Sequence, residues 1–119
     1  MINNLSSVHL SVKQKTLPTI SISNLSSATI SGSDVAGIIT FTTTSATDGT
    51  ISVTYATPYI NTPVVSLTPG VNWINLNTSV SPAISISSSD NTQFMAHLSY
   101  LNTNGITANM SYIVLGMED

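Results

Sequence analysis

The sequence contains no cysteine and no arginine, and it has only two lysines among its 119 residues. Without cysteine there are neither disulfides nor thiolate chemistry, and no redox compartment is indicated. A net charge of −3 with no cluster of cations leaves nothing to neutralise phosphates, which excludes nucleic acid as a partner. The same shortage of cations excludes a basic amphipathic membrane anchor.

Long hydrophobic runs are absent as well. Apolar stretches such as Val35–Ile39 are far shorter than the roughly 20 residues that a helix needs to cross a bilayer. The first residues, Met-Ile-Asn-Asn-Leu, lack the positive and apolar regions of a signal peptide. We therefore expect a protein that has no membrane partner and is made in a cytoplasm.

Charge of either sign is scarce. Charged residues make up 6% of the chain, against about 25% in typical soluble domains, while Ser, Thr and Asn together make up about 40%. Charged side chains usually protect the edges of β-sheets from pairing with neighbours. This shortage predicts an obligate homo-oligomer or a docked partner. The charged residues are Lys13, Lys15, Asp34, Asp48, Asp90, Glu118 and Asp119.

Alternation of apolar and polar residues runs through the chain and indicates strands of four to eight residues, with no helical periodicity of useful length. The composition favours β structure too, because Val, Ile, Leu, Tyr and Thr are plentiful. We predict an all-β fold, an antiparallel β-sandwich of jelly-roll type with about eight strands. The alternating sets are Val8/Leu10/Val12, Ile20/Ile22, Ile39/Phe41, Ile51/Val53/Tyr55, Val65/Leu67, Ile84/Ile86, Phe94/Ala96/Leu98/Tyr100 and Met110/Tyr112/Val114.

Three segments between these sets carry turn residues and predict hairpin loops. They are Ser45–Thr50, which contains Asp-Gly, and Ser88–Asn91 and Asn102–Gly105, which flank one strand.

The chain divides near residue 32. Residues 1–31 predict an extended N-terminal arm or a pair of peripheral strands, and residues 32–119 predict the sandwich domain. An arm of this kind adds to the edge of a neighbour's sheet through main-chain hydrogen bonds. The alternative is that these residues form the first strands of the same sandwich. The arm residues expected to contact a neighbouring protein are Ile2, Leu5, Val8, Leu10 and Val12.

Catalytic constellations are missing from the sequence. His9 and His97 are isolated, and His97 alternates with the apolar residues of its strand, which predicts that it faces outward. Asp34, Asp48 and Asp90 each lie beside Gly, Ser or Asn in an apparent turn, where local bonding to the backbone explains them. We therefore expect no enzyme activity, no cofactor and no metal site.

Trp73, in the segment Gly70–Asn75, is the most informative single residue. An aromatic residue flanked by Asn72 and Asn75 can stack on a sugar ring while the amides bind its hydroxyl groups. A lone tryptophan between strands also commonly fills a core or a subunit interface. Both interpretations remain open from the sequence.

A series of short motifs runs in order through residues 32–116. They are the opening Gly32–Gly37 with the strand Ile38–Thr43, then Val53–Tyr55, Pro63–Pro69 and the closing Tyr112–Gly116. This series resembles the small β domains of bacteriophage tail fibres and virion surface proteins. The resemblance implies a phage structural protein, often trimeric, with no catalytic signature.

On this resemblance we expect a capsid decoration (cement) protein that stabilises the phage head by binding between capsid subunits. Its partners are then its own copies, as a homotrimer, and the major capsid protein, and its place is the capsid surface after synthesis in the host cytoplasm. A short chain that starts at Met1 favours this over a long fibre. The alternative is a receptor-binding tail-fibre tip or a head fibre that binds host surface glycan. A third hypothesis is a non-viral β-scaffold subunit.

Overall fold

Eight strands build two antiparallel four-stranded sheets that pack face to face in a computed structural model describing residues 17–116. Sheet A has the strand order β1-β4-β7-β6, and sheet B has the order β2-β3-β8-β5. The strands are β1 (Thr19–Ser23), β2 (Leu25–Gly32), β3 (Ala36–Thr43), β4 (Gly49–Thr54), β5 (Val64–Pro69), β6 (Ala83–Ser89), β7 (Gln93–Ser99) and β8 (Thr107–Leu115), and a 3₁₀ turn covers Trp73–Leu76. The β-sandwich prediction is confirmed.

The core lies between the sheets and is built from every second residue of the central strands. Strand β7 alternates in this way, with Phe94, Ala96 and Leu98 fully buried. Strand β8 does the same from the opposite sheet with Met110 and Tyr112. Because successive side chains of a strand point to opposite faces, this alternation commits one face of each sheet to the core and the other to the surface.

Strand β2 was not among the strands predicted from the alternation. Its pairing with β3 shifts between Leu25 and Ser27, so the inward-facing apolar residues fall out of a strict period of two. Its remaining residues are mostly Ser, Thr and Gly. The strand predicted around Val8–Val12 lies outside the described residues.

Only one of the three predicted hairpin loops is a hairpin. Ser88–Asn91 joins β6 to β7, which pair in sheet A, as predicted. The prediction was wrong for Ser45–Thr50 and Asn102–Gly105, because the strands that they join lie in different sheets. Both segments cross the sandwich at the same end, where the N–H of Leu101 donates to the carbonyl of Thr47 at 2.9 Å.

The strands that precede residue 32 are both at sheet margins. Strand β1 pairs only with β4, and β2 pairs only with β3, so each forms an edge of its sheet. The division of the chain near residue 32 stays a prediction. The arm residues Ile2, Leu5, Val8, Leu10 and Val12 lie outside the described part of the chain.

Across residues 17–116 we find no helix with the length and apolar character needed to pass through a membrane.

Candidate functional site

The ionisable side chains are spread over the sandwich. His97 is half-buried on the outer face of sheet A, between Thr50 and Ser85 of the adjacent strands, as its phase in the strand predicts. His9 lies outside the described residues. Among residues 17–116, no three His, Asp or Glu side chains come close enough together to hold a metal ion.

The turn carboxylates have different roles. Asp90 behaves as predicted: its Oδ1 accepts from the N–H and hydroxyl of Thr92 at 2.8 and 2.7 Å and from the N–H of Gln93 at 3.0 Å. These hydrogen bonds, that of the Thr92 hydroxyl above all, lower the pKa of Asp90. The local interpretation was wrong for Asp34. Its carboxylate is fully buried and accepts from the N–H groups of Ala56 and Thr57, both at 2.9 Å.

Asp34 thereby joins the two sheets. It lies in the β2–β3 turn of sheet B, whereas Ala56 and Thr57 follow β4 of sheet A. Buried tyrosines complete the junction. The hydroxyl of Tyr59 donates to the Asp34 carbonyl at 2.6 Å, and that of Tyr112 donates to the Ser33 carbonyl at 2.5 Å. These hydrogen bonds hold the β2–β3 turn against the segment that follows β4.

Burial raises the pKa of Tyr112 to about 12, and burial also raises the pKa of Tyr55. An unfolded tyrosine ionises near pH 10, so above that pH the unfolded chain loses protons that the folded chain keeps. We expect the contribution of these tyrosines to the free energy of unfolding to be constant below about pH 10 and to fall as the pH rises from about 10 to 12. Urea midpoints measured over this range test this.

Tyr112→Phe is the matched variant for this alkaline effect, because it lacks the ionisable hydroxyl and keeps the ring. It should lose some stability at neutral pH, where the bond to Ser33 is missing, and show a shallower decline above about pH 10. An equally steep decline in the variant would assign the alkaline effect to other groups.

A groove lies at the end of the sandwich where the segment 70–82 passes from the end of β5 to the start of β6. These are edge strands of different sheets, so the segment closes one side of the core. The groove has a volume of about 560 Å³. We call it the Trp73 groove; its lining residues are Gly70, Asn72, Trp73, Ile74 and residues 77–82.

Trp73 packs against the core and also lines the groove, whereas its binding to a sugar stays a prediction. Its ring packs edge-to-face with Phe41 of the core, with ring centroids 5.9 Å apart, and its indole N–H donates to the Pro82 carbonyl at 3.3 Å. The side chain remains partly exposed and lines the groove. Since the N–H already has a partner, the indole offers the groove its carbon surface.

The asparagines hold the segment in place. Asn72 has a left-handed backbone with φ of 64°, and its Nδ2 donates to the Thr107 carbonyl at 3.0 Å while its Oδ1 accepts from Asn75 Nδ2 at 3.2 Å. The two asparagines predicted to bind a sugar therefore bond to the protein. Asn75 is also absent from the groove lining.

Two further asparagines, Asn77 and Asn109, also hold the segment 70–82 in place, and the sequence analysis did not single them out. Asn77 is 8% exposed, donates to the Tyr100 carbonyl at 2.6 Å and accepts from the N–H groups of Ser79 and Val80 at 2.8 and 3.1 Å. Asn109 Oδ1 accepts from the N–H of Val71 at 2.9 Å, so close that a Cβ at Gly70 would collide with it. Asn77-Thr78-Ser79 has the sequence of an Asx turn, which was the available signal.

The outer faces of the two sheets differ in chemistry. Residues directly opposite in antiparallel strands share a face, so Ala36 and Ile113 point outward together, as do Val64 and Leu115, and Ile38 lies beside them. We call these five residues the sheet B patch. Ile38 and Ile113 are each 49% exposed, Leu115 is 64% and Val64 is 68% exposed. The outer face of sheet A instead carries Thr19, Ser21, Thr50, Ser52, Ser85, Gln93, Met95, His97 and Ser99.

No protein-family model and no curated protein matches the sequence. Among solved structures, the chain is similar to the Gp54 tailspike of Acinetobacter baumannii bacteriophage AP22, solved in complex with A. baumannii capsular saccharide, with 13% identity and a TM-score of 0.45. The match covers 86% of this chain and 17% of that chain. The similarity therefore concerns a small part of a much longer protein.

Proposed function

We propose that this chain is a structural protein of a bacteriophage particle that decorates the capsid and reinforces it by binding between capsid subunits. The observation that carries the proposal is the sheet B patch, a cluster of exposed aliphatic side chains on a face where strands β3, β5 and β8 place no charged residue. Contiguous exposed apolar surface of this kind marks a contact with other protein. The resemblance of residues 32–116 to phage virion β domains is the reason for proposing a phage particle as the assembly.

The difference between the two sheets gives the orientation. Apart from the partly buried Met95, the outer face of sheet A presents hydroxyls, an amide and an imidazole, which suit contact with water, whereas one end of sheet B presents aliphatic side chains. The chain would bind with sheet B toward the capsid and sheet A toward the solvent. Apolar burial contributes about 25 cal/mol per Å², and association costs offset part of it, so a single contact is weak.

Repetition over the shell makes such a contact effective. A homotrimer would present three patches to neighbouring capsid subunits, and the second and third contacts would form at high effective concentration. The trimer is part of the proposal, and light scattering on the purified protein tests it directly.

The second candidate is a fibre tip or head fibre that binds host carbohydrate. A protein with that role would lie elsewhere on the particle and be present in few copies. Quantitative mass spectrometry of purified particles separates the two. Copies in the tens to hundreds, with cryo-electron microscopy density on the capsid, support decoration. A few copies, confined to the tail, would overturn it.

Ile113→Lys tests the role of the patch. Ile113 lies near the end of β8 and is already 49% exposed, so a lysine there can stay solvated in the free protein, and the variant should fold normally. Docking would bury the ammonium group of the lysine without a partner. We expect Ile113→Lys to bind capsids that lack the protein at least about tenfold more weakly than the unmodified protein does. Co-sedimentation with such capsids measures it.

Ser85→Lys is the matched control, because it adds the same charge to the exposed outer face of sheet A. It should bind capsids like the unmodified protein. Equal binding by Ile113→Lys and the unmodified protein would remove the patch from the capsid contact.

A further inference from the structure

The Trp73 groove has the dimensions of a ligand site. Its volume of about 560 Å³ lies within the range of about 300–1,000 Å³ that is usual for small-molecule sites. It is separate from the sheet B patch: the groove lies where β5 ends and β8 begins, whereas the patch lies where β5 begins and β8 ends. A ligand could therefore bind without competing with the proposed capsid contact.

We propose that the Trp73 groove binds an uncharged saccharide. None of its lining residues is charged, and the only Asp, Glu, Lys or Arg residues within 17–116 are Asp34, Asp48 and Asp90. An ionic ligand would lose its hydration without gaining a counter-ion, which is costly. The ligand class that suits this groove is therefore neutral.

The lining combines an aromatic surface with hydroxyl groups. Trp73, Ile74 and Val80 supply carbon surface, while Thr78, Ser79 and Ser81 supply hydroxyls. A sugar ring has the complementary pattern, because its C–H groups gather on one face and its hydroxyls lie around the rim. The negative face of an indole attracts such weakly positive C–H groups. A purely apolar ligand would leave the hydroxyls of the groove without partners.

The groups that recognise the ligand differ from those that hold the groove. Asn72 and Asn77 are bonded to the protein on both their nitrogen and oxygen. The hydroxyls of Thr78, Ser79 and Ser81 make no hydrogen bond to another side chain or to the backbone within residues 17–116, and all three residues are exposed. They are free to exchange water for sugar hydroxyls, which makes them and Trp73 the specificity-determining residues.

The groove is also preorganised. The two hydrogen bonds that Asn77 accepts define the backbone of residues 78–80, and its amide fixes Tyr100, whose φ of 62° is unusual for an aromatic residue. A ligand that binds a segment already ordered avoids much of the entropy cost of ordering a loop on binding. Strained residues that the surrounding structure holds in place are common at binding sites.

The sole tryptophan of the chain makes the test direct, because fluorescence excited at wavelengths that the four tyrosines do not absorb reports only on Trp73. The protein is screened on an array of neutral and acidic glycans, and each neutral glycan that binds is then titrated while the fluorescence is recorded. We expect saturable changes with neutral oligosaccharides. Sialyllactose, an acidic probe, should give none.

The variant carrying Thr78→Val, Ser79→Ala and Ser81→Ala should bind at least about tenfold more weakly with an unchanged melting temperature, since its substitutions are on the surface. The control with Thr19→Val, Ser21→Ala and Ser85→Ala removes the same groups from sheet A and should bind normally. Binding that survives the groove substitutions, binding of acidic glycans alone, or the absence of any neutral glycan on the array would each overturn the inference.

The inference does not rest on the capsid role. The groove variant should still bind capsids, and Ile113→Lys should still bind the glycan. Failure of one proposal is thus distinguishable from failure of the other.

Discussion

Phe94→Ala should destabilise the protein by about 4 kcal/mol, one of the two largest effects expected of a single substitution. Phe94 is fully buried in β7, a central strand of sheet A, and its ring lies 6.0 Å from that of Tyr112 and 6.1 Å from that of Tyr55. Truncation removes apolar burial and leaves a cavity between the sheets that the rigid neighbouring strands cannot collapse to fill. Urea unfolding followed by circular dichroism and by Trp73 fluorescence measures the loss.

Two controls separate cavity formation from other effects. Phe94→Leu retains most of the volume and should cost about 1.5 kcal/mol or less. Met95→Ala, one residue along on the outer face of sheet A, should cost well under half as much as Phe94→Ala, because Met95 is only partly buried. A Phe94→Ala protein within about 1 kcal/mol of the original would mean that the packing between the sheets is not as described.

Asp34→Ala should cost about 3 kcal/mol. A hydrogen bond to a charged group contributes about 1.5–3 kcal/mol, and the carboxylate accepts from the N–H groups of both Ala56 and Thr57. These bonds connect the β2–β3 turn of sheet B with the segment after β4 of sheet A, so their loss loosens one end of the sandwich. Chemical denaturation and amide hydrogen exchange of Ala56 and Thr57 measure the global and the local effect.

Asp34→Asn is the matched control, since it keeps the shape and one acceptor oxygen and loses the charge. Its stability should lie between those of the original protein and Asp34→Ala. If Asp34→Ala unfolds at the same urea concentration as the original while Ala56 and Thr57 remain protected from exchange, the carboxylate does not join the sheets.

How far the sequence predicted the candidate site is clearest at Trp73. A lone tryptophan among asparagines indicated two roles, packing and sugar binding, and the residue both packs on Phe41 and lines a groove. Asn72 and Asn75 were expected to face a ligand because amides bind hydroxyls. Sequence cannot show that their amides are already bonded to Thr107 and to each other, because the partner Thr107 is 35 positions away.

Asp34 illustrates the same limit for a single carboxylate. A turn context predicts local bonding, which holds for Asp90, whose partners are two and three positions away. The partners of Asp34 are 22 and 23 positions away, in the segment that follows β4 of the other sheet. Whether the carboxylate of such a turn bonds to its own turn or to a distant segment depends on which part of the chain packs against the turn.

The sequence by itself determined that the chain is a β-sandwich, since a period of two assigns each residue of a strand to the core or to the surface without knowledge of its partner. It also determined that the surface is nearly uncharged. Only the tertiary structure decided which strands share a sheet, because a short turn such as Ser45–Thr50 serves a hairpin and a crossing between sheets equally well. The sheet B patch and the Trp73 groove depend on that decision. The patch gathers residues from β3, β5 and β8, and the groove forms because the segment 70–82 passes from an edge strand of sheet B to an edge strand of sheet A.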